Sequence, residues 1–161
     1  MARELQTALM PQRYPRFPHD VSEQDSAVRF YHFFQPSGIV SGDFFDVLEI
    51  SDTMAGLFIC DVMGHGVRAA LVAATIRTLV SELRPYWAEP GEFLTRLNRG
   101  VVDAVRNSPS TLFATAFYVV ADLSRGELRH ANAGHPCPLR VTHGARNSSA
   151  YSAPLEGQRP G

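Results

Sequence analysis

Phe44-Phe45-Asp46-Val47-Leu48-Glu49-Ile50, followed by Ser51-Asp52-Thr53 and then Gly56-Leu57-Phe58-Ile59-Cys60-Asp61, is the stretch on which the fold turns. Two β-prone runs, residues 44–50 and 56–60, flank three residues with turn chemistry, so the spacing predicts a hairpin. If the hairpin is symmetric about Asp52, facing residues sum to a constant of about 104, in the manner of any antiparallel pair. Phe45 then faces Ile59 and Val47 faces Leu57, which makes one face consistently apolar. At the open end the same register sets Asp43 against Asp61.

Directly opposed residues have Cβ atoms roughly 4.5–5.5 Å apart. Two bare carboxylates that close repel, and a shared proton or bound cations relieve the repulsion. Hard cations such as Mg²⁺ or Mn²⁺ prefer oxygen ligands, and a pair of them about 3.5–4 Å apart is a common device for hydrolysing phosphate esters. The plainer alternative is that Asp43 and Asp61 are solvated acids at strand ends. Gly42 before the first acid, with Gly64 and Gly66 after the second, permits close approaches or backbone angles that a side chain would block.

Working outward, residues 27–34 are rich in aromatics and read as a strand ending before Pro36. On the other side, residues 67–86 favour helix, with apolar positions nearly all round, so that helix is expected to be buried on most sides. Pro90-Gly91 precedes a second amphipathic helix over 92–105, expected antiparallel to the first. Residues 112–122 and 127–133 read as strands joined at Ser124-Arg125-Gly126, and 138–142 as a short strand closing a meander. Strands, a helical hairpin, then strands again give the α+β class with mainly antiparallel sheet. Residues 3–10 suit a short helix stopped by Pro11. Together with a proline-bearing stretch they form a linker and connector over 1–25, ahead of a domain at 26–142 and an irregular tail at 143–161.

The chain has 161 residues, 45% hydrophobic and 19% charged, with 15 basic and 16 acidic side chains and a formal net charge of −1. That is one domain with a real core, too apolar for a disordered segment and too neutral to draw nucleic acid or an anionic membrane. No run of about 18 apolar residues is present, and the N-terminus lacks a secretory apolar stretch, so a cytoplasmic location is expected. Cys60 and Cys137 sit in apolar runs and read as buried, reduced thiols. Asn147-Ser148-Ser149 has the form of a glycosylation acceptor and carries no weight without secretion.

Three motifs in register carry a resemblance. Ser41-Gly42-Asp43-Phe44-Phe45-Asp46, Asp61-Val62-Met63-Gly64-His65-Gly66-Val67-Arg68-Ala69-Ala70 and Asn132-Ala133-Gly134-His135-Pro136 occur in the order found in bacterial PPM-type serine/threonine phosphatases of the SpoIIE and RsbU kind. Residues 4–11 resemble the helical linker before such domains and Leu97-Asn98-Arg99 part of their second helix, so the likeness runs from about 3 to 142.

The resemblance implies an αββα sandwich with a binuclear Mn²⁺ or Mg²⁺ centre, in which Asp43 and Asp61 are metal ligands and the Val62 carbonyl a further one. Water activated there would attack phosphoserine or phosphothreonine in line, without a covalent enzyme intermediate. Asp46 would face the other side of its strand, in a supporting role. His65 stands either as a general acid or as a structural residue at a helix start. His130 and His135, five apart, form either a metal pair or, more simply, a strand end and tight turn. Arg68 either meets phosphate or is an ordinary exposed helical arginine.

The implied substrate is a phosphorylated regulatory protein of the anti-sigma-factor antagonist type, with an upstream sensor or receiver domain and a homodimer contact through the N-terminal helix. Where the family continues into strands with an Asp-Gly motif and a late aspartate, this sequence has only Glu156 after Glu127. It reads as a piece of a longer phosphatase, a natural short form, or a chain that completes its fold with a partner. The alternative function is a catalytically weak, phosphatase-like binding module. Missing closing strands would leave an exposed apolar patch and unpaired strand edges.

Overall fold

The computed structural model describes residues 10–35, 41–106, 112–141 and 149–150. The hairpin forms as its alternation requires: β1 (Phe44–Ser51) pairs antiparallel with β2 (Met54–Val62), and Phe45 faces Ile59 and Val47 faces Leu57. The constant of 104 holds from Phe44 to Glu49; a bulge then shifts the pairing to Ser51 against Met54, so the turn is Asp52-Thr53 rather than a loop centred on Asp52. β3 (Ala114–Asp122) joins the other edge of β2, and β4 (Glu127–Ala133) joins β3, giving one antiparallel sheet in the order β1-β2-β3-β4. Asp122 builds the β3–β4 turn by accepting hydrogen bonds from the Ser124 amide and hydroxyl and the Arg125 amide.

Gly66 precedes α1 (Val67–Glu82), a 3₁₀ turn follows at Arg84–Tyr86, and α2 (Pro90–Val105) returns across the sheet. The first helix is shorter than the expected 67–86 because Pro85 has no amide hydrogen to continue the ladder and disfavours helix at Arg84. It is also less enclosed than expected. Ala69, Ala73, Ile76 and Val80 form one buried stripe, while Val67 and Leu71 are exposed. The two helices meet closely enough that a Cβ on Gly100 would lie 3.0 Å from Leu79 Cδ2.

The core lies between the helices and one face of the sheet. Phe44, Leu48, Phe58, Cys60, Val62, Tyr118 and Val120 pack on Ala69, Ala73, Ile76, Val80, Phe93, Leu94 and Leu97. Its one buried phenol is satisfied: Tyr118 Oη donates to the Trp87 carbonyl at 2.7 Å, and Trp87 Nε1 donates to the Val80 carbonyl at 2.8 Å. Gly56 is obligatory here, since a Cβ would collide with the Tyr118 hydroxyl. The α+β class is thus observed, with a helix pair on one face of the four-stranded sheet.

Residues 27–34 are a correction. They form no strand but run as irregular chain, with Tyr31 and Phe33 exposed. Their aromatic content finds partners other than a ladder: the Ala27 amide donates to the Phe17 carbonyl, Phe30 meets Tyr14 and Phe17, and His32 lies 5.0 Å from Phe45. Phe17 is fully buried, and its amide donates to Ser26 Oγ at 3.0 Å. His19 ties this connector to the hairpin through Glu49 and Asp52.

The expected strand at 138–142 also does not close the meander; β5 (Leu139–Arg140) pairs instead with β6 (Ser149–Ala150), apart from the main sheet. Cys60 is buried as expected, but Cys137, between Pro136 and Pro138, is exposed. Residues 3–9 of the expected helix at 3–10 and most of the tail lie outside the described residues.

Candidate metal centre

The pairing of Phe44 with Cys60 carries one residue further to set Asp43 against Asp61, on the sheet face turned away from the helices. Asp61 in turn pairs with Thr115 on β3. A row of three polar side chains therefore crosses one end of the sheet. Ser41, itself buried, aims the first of them: its hydroxyl donates to Asp43 Oδ2 at 2.8 Å and accepts from the Asp43 amide at 3.1 Å.

The carboxyl of Asp61 is held above its ordinary value by partial burial, then by the charge of Asp43 and a hydrogen bond with it. Two acids set across from each other compete for one proton. The same two charges, added to burial, push the Cys60 thiol up to about 12, so it is an inert core group beneath the site.

Backbone forms the rest of the rim. A Cβ on Gly42 would stand 2.5 Å from the Val62 carbonyl oxygen and 3.2 Å from Ala69 Cβ, so only glycine lets this strand approach that carbonyl. The Val62 amide donates to the Gly42 carbonyl at 3.4 Å and the Met63 amide to Phe113 at 2.9 Å. Gly64 and Gly66 have φ of +95° and +80°, which only glycine adopts readily, and they turn the chain from β2 into α1.

The remaining candidates separate by position. His65 is exposed in this turn and makes no hydrogen bond or ion pair among the described residues. Arg68 is exposed in the first turn of α1. Asp46 faces the helices: burial raises its carboxyl, while the charge of Arg77 and a hydrogen bond from the Val47 amide oppose that. His130 stacks on Phe117 at 5.5 Å, away from the acids.

His135 is different. Its Nδ1 lies 2.9 Å from Thr115 Oγ1, and the charges of Asp61 and Asp43 both act on the ring, against the dominant effect of burial, which holds its pKa below the usual value. Its pairing with Thr115, and the support that Ser41 gives Asp43, were not visible in the sequence. The first depends on a β2–β3 pairing across more than fifty residues, and the second had only the Ser-Gly-Asp spacing to mark it.

Two carboxylates and a carbonyl form a set of hard oxygen donors, which suits Mg²⁺ or Mn²⁺ rather than a soft metal. Among the described residues no three His, Cys, Asp or Glu side chains form a metal-ligating cluster.

Comparison with known proteins bears on the family. The chain is 28% identical over 138 residues to the phosphoserine phosphatase RsbP of Bacillus subtilis, covering 85% of this chain and 34% of that protein. It is 30% identical over 100 residues to the phosphoserine phosphatase RsbU of the same organism, covering 62% of this chain and 29% of that one. Among solved structures, the RsbU and RsbW domains of a Mycobacterium tuberculosis protein match with a TM-score of 0.53 and 31% identity, over 64% of this chain and 28% of that one. The chain thus spans about a third or less of each of these proteins. Residues 51–155 match the family described as Stage II sporulation protein E (SpoIIE), a span that holds Asp61, Thr115 and the Asn132-to-His135 turn. That span is more than half of the chain, and the protein belongs to the SpoIIE family.

Proposed function

We propose that this domain is the metal-binding half of a phosphoserine/phosphothreonine protein phosphatase, with Asp43, Asp61 and the Val62 carbonyl as its Mn²⁺ or Mg²⁺ ligands. The observation that carries the reading is that the hairpin register, from the Phe44–Cys60 pair to the Val62 amide on the Gly42 carbonyl, sets Asp43 across from Asp61. A carboxylate pair with its charges unrelieved is a standing cost in the folded state, and divalent cations remove it. Cations bound there would offset charge on a phosphoryl group and lower the pKa of water.

The chain's own residues do the positioning. Ser41 fixes the Asp43 carboxylate, Gly42 keeps the Val62 carbonyl accessible, and the glycine turn at 64–66 leaves room for a substrate segment. In this reading His65, exposed on that turn, would give a proton to the leaving oxygen once the substrate covers it. Two named relatives are phosphoserine phosphatases, which supports a phosphorylated regulatory protein of the anti-sigma-factor antagonist type as substrate, with an upstream sensor or receiver domain as the source of control. Contact between two copies through residues 1–10 and a cytoplasmic location belong to the same reading. Free Cys60 and Cys137 support the location, since both fit a reducing compartment.

The competing reading is a phosphatase-like module that binds a regulator without turnover. It is favoured by the presence of only two acids at the site among the described residues. Mn²⁺-dependent release of phosphate from a phosphoserine protein, lost in Asp61→Ala, is the outcome expected of the enzyme. Tight capture of the phosphoprotein with no release of phosphate, unchanged in Asp61→Ala, is the outcome expected of the module.

A further inference from the structure

We propose that His135 is a substrate-contacting residue, a neutral hydrogen-bond donor from Nε2 to a phosphoryl oxygen seated at the Asp43–Asp61 pair. The inference rests on the phosphatase reading above and assigns a residue to it. The geometry shows an imidazole fixed with unusual care. Asn132 closes the turn with both ends of its amide: Oδ1 accepts from the His135 amide at 2.8 Å, and Nδ2 donates to the His135 carbonyl at 2.9 Å. Gly134 takes φ of +74° and bridges to Ala116, which lays the turn against β3 beside Thr115. Thr115 Oγ1 then meets Nδ1 at 2.9 Å, and Thr115 is the cross-strand neighbour of Asp61. Backbone, ring and acid are thereby linked in one chain of contacts.

A histidine needed only to end a strand would not require its ring to be held. Here the ring is half-buried, with one nitrogen committed to Thr115, and the other has no partner among the described residues. The contact fits either direction; with the Thr115 hydroxyl as donor to Nδ1, the imidazole proton lies on Nε2. The result is a donor that carries no charge, so it does not compete with cations for the two carboxylates. A phosphoryl oxygen bound by those cations is the acceptor that such a donor suits.

The test uses the full chain, inorganic phosphate as the probe, and saturating Mn²⁺. His135→Ala should weaken phosphate binding by about tenfold or more, as expected for a lost hydrogen bond to a charged acceptor. His135→Gln, which keeps an amide donor, should recover part of that loss. Mn²⁺ affinity, measured by electron paramagnetic resonance, should be the same in both variants and the parent. Without any metal, ¹⁵N shifts of the His135 ring should report the Nε2–H tautomer, and Thr115→Val should mix the two tautomers.

Phosphate affinity unchanged in His135→Ala, with Mn²⁺ still bound, would overturn the inference and leave the phosphatase reading standing. Loss of Mn²⁺ affinity in His135→Ala would overturn it too, by making the histidine a metal ligand. Absence of Mn²⁺ binding in the parent chain would remove the phosphatase reading and the inference together.

Discussion

The two faces of the four-stranded sheet are built from the same strands and the same kinds of residue, yet they differ in almost every physical respect. On the helix side Phe58, Val62, Tyr118 and Val120 have 0% of their surface exposed. On the other side Ile59, the next residue along β2, keeps 38% and Leu128 on β4 keeps 61%. A cavity of about 460 Å³ there is lined by Leu57, Ile59, Phe117, Val119, His130 and Leu139 among others. Both faces are apolar because each strand is apolar at odd and even positions alike. What separates them is the placement of polar groups. Asp43, Asp61 and Thr115 stand in a row on the open face, while Asp46 faces the helices and Arg77. The closed face supplies stability, and the open one carries the acids proposed to bind cations.

That division is broken most directly by truncating neighbours on opposite faces. Phe58→Ala should cost about 3–5 kcal/mol of stability and Ile59→Ala about 1 kcal/mol, because only the first leaves a cavity in a closed core. Urea unfolding of the two variants gives the difference, and equal losses would show that the open face is as enclosed as the other. Gly42→Ala comes next, at about 1–3 kcal/mol, since the new methyl must displace the Val62 carbonyl or Ala69. It should also weaken Mn²⁺ binding, whereas a merely structural Gly42 would leave titrated Mn²⁺ affinity unchanged.

Smaller and opposite in sign is Asp61→Asn, which removes the contact between like charges. At neutral pH the metal-free variant should be more stable than the parent by up to about 1 kcal/mol, the Coulomb energy of two charges roughly 4 Å apart in water. The pH dependence follows from the raised carboxyl of Asp61. The folded state binds this proton more tightly than the unfolded state does. The gain is therefore fully present in acid, below the ordinary carboxylate range, and is lost as pH rises through the elevated folded value. The difference in melting temperature between Asp61→Asn and the parent should widen from about pH 4 to about pH 7. A constant difference across that range would mean that the two carboxyls do not interact.

How much of this the sequence disclosed depended on how local the determining contacts are. The β1–β2 hairpin, its register and the facing of Asp43 and Asp61 follow from residues within twenty positions, and all but the bulge at the turn were legible. Asp46 was placed on the opposite face by strand alternation alone. The strand expected at 27–34 failed because aromatic content was read as sheet propensity, whereas Phe30 and His32 use their rings to pack against Tyr14, Phe17 and Phe45. The open side of α1 was missed for a related reason. Its apolar residues point all round, and only the tertiary packing selects the stripe of Ala69, Ala73, Ile76 and Val80 as the buried one. His135 was visible as a motif residue, but its place beside the acids depends on β2 meeting β3, a pairing no local pattern encodes.

The central claim is that the open face holds divalent cations through Asp43 and Asp61, and titration of the full chain with Mn²⁺ under electron paramagnetic resonance tests it most directly. Saturable binding by the parent is expected at millimolar Mn²⁺ or below, on the order of a site that shares its coordination with water. Strong weakening is expected in both Asp43→Asn and Asp61→Asn, and no change in Asp46→Asn, whose side chain faces the helices. Equal Mn²⁺ uptake by the parent and Asp61→Asn would contradict the claim.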